Sequence, residues 1–322
     1  SKVYESFDFA RQEFDVLILD EASQSDITSI IALGIAKEVV IVGDKEQVTP
    51  TGIGQDLEQI QGLIDEYLDG IPNKIAYDGK TSIYDIAEQS FGDSIRLIEH
   101  FRCVPDIINF SNFLSYAGEI KPLREASDGQ FDQPLVEHRV DGHRGENKKT
   151  NKTEALEVAS LIAAMTQHPD YKKTSIGVIS LLGSQQANQI DSILRQRLSP
   201  RVYEKHNILC GDSANFQGDE RDVMFLSMVD SCDNPPLRIL QQDSFKKRYN
   251  VAVSRARDQL WLVHSLNYET DLKVGDLRQE LITHFRNPKG KLDAIATAAD
   301  LSDSEFEKRV QKDLISRGYN II

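Results

Sequence analysis

Short apolar runs that end in acid punctuate the first hundred residues. FDVLILD (14–20) is mostly apolar and closes on Asp20, and EVVIVGD (38–44) is β-branched and closes on Asp44. Between them, SDITSIIALGIAK (25–37) carries Ile27, Ile30, Ile31 and Leu33 at helical spacing, behind Ser25 or Asp26 as the cap. Strand, helix and strand over this span predict a right-handed βαβ unit with parallel strands. Runs that are apolar throughout suit strands covered on both faces. Both acidic ends then fall at the carboxyl edge of the sheet, where open α/β folds bind their ligands.

A second alternating series begins near Arg96. It predicts helices over 151–165, 185–198 and 244–257, and strands over 175–182, 222–229 and 259–265. Residues 121–150 are polar and rich in Gly, Lys and Glu, and read as a connecting excursion. After residue 285 the pattern changes: 286–303 reads as a linker, and Ser304 opens a helix over 304–322. The expected organisation is a first lobe over 1–98, a second over 99–285, the linker and a terminal helix. No repeat of solenoid length occurs.

Composition narrows the classes. With 322 residues the chain can bury two cores, and no apolar run approaches the length of a membrane span. Cys103, Cys210 and Cys232 are widely spaced and form no metal-ligand pattern, which predicts a reducing, cytoplasmic setting. A net charge of −14 argues against a nucleic-acid partner only until its distribution is seen. Residues 1–100 hold 7 Lys/Arg against 20 Asp/Glu, and the remainder hold 30 against 31. A protein that grips one strand in a local groove need not be basic overall.

Five segments carry chemistry. Asp20 and Glu21 follow a buried strand; an aspartate there can hold Mg²⁺ against phosphates and the glutamate can polarise an attacking water, whereas an acid pair taken alone reads more simply as the cap of a strand-to-helix turn. In Gly43-Asp44-Lys45-Glu46-Gln47, the Gln47 amide can sense a γ-phosphate. Arg102, in His100-Phe101-Arg102, and Arg255, in YNVAVSRAR, can stabilise charge that develops in phosphoryl transfer, unless they are ordinary solvated charges. Two positions along, Arg257 leaves the same helix in another direction and suits a structural ion pair. In Phe216-Gln217-Gly218-Asp219-Glu220, Gly218 permits close backbone approach to a ligand and Glu220 can accept from a ribose hydroxyl; the alternative is a polar turn.

LILDEASQ, IVGDKEQVTP, HFRCVPDIINFSN, ANFQGDERDV and YNVAVSRARDQLWLV resemble, in order and spacing, motifs II to VI of superfamily 1 helicases across residues 14–265. The resemblance is closest to the 5′-to-3′ branch that holds the nonsense-mediated-decay RNA helicase and its DNA relatives. It implies an α/β, P-loop NTPase fold of two RecA-like parallel-sheet lobes, the first incomplete at its N-terminus. The implied cofactors are ATP and Mg²⁺, and the implied partner is single-stranded DNA or RNA. By the same resemblance Asp20 coordinates Mg²⁺, Glu21 is the catalytic base, Gln47 the γ-phosphate sensor, Arg102 and Arg255 the arginine fingers, and Glu220 a nucleotide-contacting acid. Gln185 matches a family glutamine more loosely.

Departures from the family pattern matter as well. No Gly-x-x-x-x-Gly-Lys-Ser/Thr loop occurs, so the phosphate-cradling loop is expected upstream of Ser1 and this fragment alone is expected to be inactive. QVTP stands where the family more often has two prolines. SEFEKRV and LISRGY (304–319) resemble the opening helix of a restriction-endonuclease-like domain, with Glu307 as its acid, and equally fit an ordinary amphipathic helix. No Asp/Glu-x-Lys core follows, and no nuclease activity is inferred. The alternatives to an ATP-dependent helicase are an inactive nucleic-acid-binding scaffold and the motor part of a helicase–nuclease.

Overall fold

The computed structural model describes residue 7 and residues 13–47, 57–92, 94–232, 237–300 and 305–317. Contacts divide the chain into two compact units, Ser1–Leu97 and Ile98–Ile322.

In the first unit, β1 (Phe14–Leu19) and β2 (Ala36–Ile41) pair in parallel with Leu17 opposite Val39 and Ile18 opposite Val40. The helix expected over 25–37 is shortened to a 3-10 turn, Ile27–Ser29, and a single turn of α1 (Ile30–Leu33). Four β-branched residues in five positions resist helix, and Gly34 ends it. Of the two candidate caps, Asp26 acts, accepting from the Thr28 N–H at 3.0 Å. Two helices follow, α2 (Leu57–Tyr67) and α3 (Ile83–Phe91). Ser82 and Asp85 form a reciprocal capping box at the start of α3. That end docks on the loop after β1: the N–H groups of Ile83 and Tyr84 donate to the carbonyls of Ser25 and Ala22.

The second unit opens with a two-residue pairing of β3 (Glu99–His100) with β4 (Lys121–Pro122), between which lies α4 (Pro105–Ser115). Its centre is a five-stranded, wholly parallel sheet. The strands are β5 (Leu135–Arg139), β6 (Ile176–Ser180), β7 (Leu209–Asp212), β8 (Arg221–Ser227) and β9 (Ala256–His264), in spatial order β5-β9-β8-β6-β7. Strand β5 lies inside the stretch read from the sequence as a connecting excursion. It takes the edge beside β9, where pairing on one side suffices for a strand carrying Glu137 and Arg139.

Helices cover both faces. On one, α5 (Lys152–Met165) and α6 (Ser184–Arg197) bury Val158, Ile162, Ile190 and Leu194 against Val223 and Phe225. On the other, α4, α8 (Asp243–Val253) and α10 (Leu277–Arg286) bury Ile107, Val253 and Leu281 against Met224 and Leu226. The two-residue alternation along β8 thus sends neighbours into opposite cores. Each of these fully buried side chains contributes about 1.5–3 kcal/mol relative to exposure. Short helices α7 (Pro200–Lys205) and α9 (Tyr268–Asp271) connect strands to helices.

Two expectations are corrected here. The helix expected over 244–257 stops at Val253, because Ala256 is already the first residue of β9, opposite Arg221. The segment expected as a linker is helical over α11 (Gly290–Asp300), where Ala294, Ala296, Ala298 and Ala299 favour helix. The terminal helix, α12 (Glu305–Ser316), follows, with Glu307 exposed on it. Residues 301–304 and 318–322 lie outside the described residues.

At the carboxyl edge of the five-stranded sheet sits a buried polar network. Glu154, on α5, accepts from Ser227 Oγ, Ser265 Oγ and the Val229 N–H at 2.8–2.9 Å. Gln186 bridges the Asn151 carbonyl and Ser227 Oγ. Arg144 and Arg278 share Asp230, at 3.1 and 2.7 Å. Burial is the first cause that pushes the Glu154 carboxyl up to about 7, against the pull of its hydrogen bonds.

Candidate functional site

Unit 1 gathers its predicted residues on two adjoining loops at the carboxyl edge of β1 and β2. The Ala22 N–H donates to the Val42 carbonyl at 2.9 Å, and the Asp44 N–H to Ser23 Oγ at 3.3 Å. Asp20 is exposed at the end of β1, with one carboxylate oxygen accepting from the Glu21 N–H at 2.8 Å. Glu21 adopts a left-handed backbone, φ 52°, which costs a non-glycine residue energy. Its carboxylate accepts from Gln24 Nε2 at 2.6 Å. Gln47 reaches back to Asp44, donating from Nε2 to Oδ2 at 3.1 Å. Asp20, Glu21 and Gln47 therefore occupy one edge of this small sheet. Val48, Thr49 and Pro50, the departure from the family pattern, lie outside the described residues.

No cluster of three or more His, Cys, Asp or Glu side chains able to hold a metal occurs among the described residues. An exposed aspartate beside a glutamate nonetheless fits Mg²⁺, which keeps several waters and takes further oxygens from substrate phosphates.

Unit 2 gathers its residues at the opposite, amino edge of its sheet. Arg102 follows β3, and its Nε donates to Glu220 Oε2 at 2.5 Å. Glu220 immediately precedes β8, and Arg257 is the second residue of β9, so strand pairing brings these two together, and the Arg102 side chain joins them through Glu220. Arg257 approaches Glu220 at 3.6 Å and Asp222 at 3.8 Å. The loop after Arg102 is tied to the turn before β9: the Val104 N–H donates to the Arg257 carbonyl, and Cys103 Sγ to the Ser254 carbonyl. Arg124 fastens both sides, donating to the carbonyls of Arg102 at 2.7 Å and Arg257 at 3.1 Å, and to Asp258 at 2.6 Å.

Titration follows from this packing. Burial, aided by the Arg102 charge, lowers the His100 imidazole to about 4, so at neutral pH its Nε2 is free to accept from the Cys103 N–H at 3.0 Å. Burial pushes the Cys103 thiol up to about 12. The Arg221 guanidinium holds Asp219 below the usual carboxylate range.

The structure places the remaining predicted residues as follows. Arg255 is only 2% exposed, whereas the Arg257 side chain is 48% exposed and opens toward the same space as Arg102. Arg257 makes the expected ion pairs, with Glu220 and Asp222, although it stands on a strand rather than a helix. Gly218 has φ 74° and nothing within 4 Å of where a Cβ would lie, so the turn, not crowding, calls for glycine. Gln185 is exposed beyond the carboxyl end of β6, bonded to Asn147, and is not part of the amino-edge cluster. Sequence reasoning missed Arg124, which lies in a polar stretch with no periodic signal.

The sequence model of the AAA domain matches residues 80–267, more than half of the chain. The chain belongs to the AAA domain family. The chain is 26% identical to an uncharacterized ATP-dependent helicase, MG140, of Mycoplasma genitalium, over 94% of this chain and 29% of that protein. It is 25% identical to the helicase sen1 of Schizosaccharomyces pombe, over 84% of this chain and 15% of that protein. It is also 25% identical to the DNA replication ATP-dependent helicase/nuclease DNA2 of Gallus gallus, over 79% of this chain and 23% of that protein. This AAA domain chain thus spans less than a third of each relative's length. The match and these relatives support the superfamily 1 resemblance read from the motifs.

Proposed function

We propose that the chain is motor machinery of an ATP-dependent nucleic-acid helicase or translocase of the RecA-like type, using ATP hydrolysis to move along single-stranded DNA or RNA. The observation that supports this most is the joint presence, in an AAA domain chain, of an acid-ended parallel strand pair in unit 1 and a guanidinium cluster in unit 2. In this reading Asp20 would hold Mg²⁺, which would supply charge neutralisation at the phosphates. Glu21 orients and deprotonates the attacking water, Gln47 reports the γ-phosphate, and Arg102 and Arg255 stabilise the charge of transfer. Glu220 contacts the nucleotide. The cytoplasmic setting expected from the cysteines belongs to the same proposal.

The test is ATP hydrolysis by the longest natural protein carrying this chain, with and without single-stranded DNA or RNA. Stimulation by strand is expected. Glu21→Gln should lower kcat by about 10²–10⁴-fold while strand binding persists. Undiminished strand-stimulated turnover in that variant would remove the motor assignment from these residues.

A further inference from the structure

A cavity of about 420 Å³ opens at the amino edge of the unit 2 sheet, lined by Glu99, His100, Phe101, Arg102, Glu220 and Arg257. Two of its walls are guanidinium groups that face a single carboxylate. Arg102 Nε meets Glu220 Oε2 at 2.5 Å, and Arg257 Nη1 meets Glu220 Oε1 at 3.6 Å, one arginine to each oxygen. A carboxylate spanned by two arginines stands where a phosphate oxygen pair could stand, since both anions match the guanidinium fork.

The spacing of the two arginines is set by the backbone. Arg124 donates from one nitrogen to the carbonyls of both Arg102 and Arg257, and the Val104 N–H fastens the second of these again. The pair is therefore held in place before any ligand arrives, which lowers the ordering cost of binding. Arg257 itself is loosely engaged. Its contacts with Glu220 and Asp222 are 3.6 and 3.8 Å, and its side chain is half exposed. Ion pairs of that kind contribute little and are readily exchanged.

We propose that Arg257 joins Arg102 as a two-guanidinium seat for the polyphosphate of a nucleotide, and that Glu220 is the seat's built-in counter-anion, displaced when phosphate enters. The inference rests on the reading of this chain as a nucleotide-driven motor, and it names a cation for which sequence suggested a structural role. Displacement leaves Glu220 free to turn toward the rest of the nucleotide, so one residue guards the empty seat and contacts the filled one.

The probe is tripolyphosphate, which lacks base and ribose, titrated calorimetrically into the 322-residue chain. Arg257→Ala and Arg102→Ala should each weaken binding about tenfold, the loss of one charge-assisted contact. Arg257→Lys should retain part of the affinity, because the charge stays and the fork goes. Glu220→Gln should bind more tightly than the parent chain, a gain that a damaged fold cannot produce. Absence of saturable binding, parent-like affinity in Arg257→Ala, or no gain in Glu220→Gln would each overturn the inference. The readout involves no hydrolysis, so it separates from the motor assignment. A strand-stimulated ATPase with an idle Arg257 sinks this inference alone, and tight tripolyphosphate binding without strand-stimulated turnover sinks the motor alone.

Discussion

The two units solve the same folding problem with different completeness. In unit 2 each face of a parallel sheet is covered by helices, and alternating residues of β8 enter two separate cores. In unit 1, among the described residues, Phe14, Val16, Ile18 and Val40 of two parallel strands remain exposed. They fall on one face, because paired residues of parallel strands point the same way. The chemistry differs too. Unit 1 displays acids at the carboxyl edge of its strands, and unit 2 displays guanidinium groups at the amino edge. A chain can thus carry well-placed site residues on a scaffold that is sealed in one unit and open in the other.

Truncation of one isoleucine in each unit tests that contrast most strongly. Ile179, on β6, is fully buried, and Ile179→Ala should cost about 2–5 kcal/mol through lost transfer energy and the cavity left behind. Ile18 on β1 is 66% exposed, and Ile18→Ala should change stability by less than about 0.5 kcal/mol. Denaturant unfolding of both variants measures the pair. Equal losses would mean that the β1 face is covered after all.

A smaller effect is expected from proton linkage, which bears on the sealed unit. The Glu154 carboxyl keeps its proton in the folded state up to about pH 7, whereas the unfolded chain releases it near 4.5. Between those values the folded state binds more protons, so this contribution is complete below 4.5 and is lost as pH rises through 7. His100 and His284 act oppositely: both are lowered to about 4, chiefly by burial, so their contribution grows as pH rises from 4 to 6.5. The Glu154 term is therefore isolated by comparing Glu154→Gln with the parent chain. The variant should lose the decline between pH 4.5 and 7 and keep the histidine rise. Parallel curves would place the Glu154 proton elsewhere.

Much of the fold was legible because its signals are local. Runs such as DVMFLSMV have the length and β-branching of covered parallel strands, and Asp26, one of the two caps the sequence offered, caps its helical turn in the structure. What escaped was decided by tertiary context. The PLVEHRV stretch holds a strand whose apolar residues are too few to stand out from its polar flanks, and β9 supplies the partner that fixes it. The alanines of α11 lack the large apolar residues by which an amphipathic helix is read. At the site, the acid-ended strands were visible as strands, and the loops beyond them were not. Whether Arg255 or Arg257 faces open space depends on the helix ending at Val253 and β9 beginning at Ala256, a boundary that periodicity places only to within a few residues.

Two glycines give the smallest and most discriminating comparison, because each unit has one for a different reason. A Cβ on Gly43 would lie 2.8 Å from Tyr84 Cδ2 and 2.9 Å from the Ser23 nitrogen, so the neighbours of this loop, not its own backbone, forbid a side chain. Gly218 is the reverse: its surroundings are open, and its φ of 74° is the obstacle. Gly43→Ala should cost about 1–3 kcal/mol by overpacking, and should pull Asp44 from Ser23 in the process. Gly218→Ala should cost about 1 kcal/mol, the penalty of a left-handed backbone. Asparagine separates the causes. It tolerates left-handed geometry, so Gly218→Asn should recover most of the loss, whereas the bulkier Gly43→Asn should be worse than alanine. Thermal unfolding of the four variants reads the pattern, and recovery by asparagine at position 43 would show that the acid-bearing loop of unit 1 is held by its own backbone rather than by the helix packed against it.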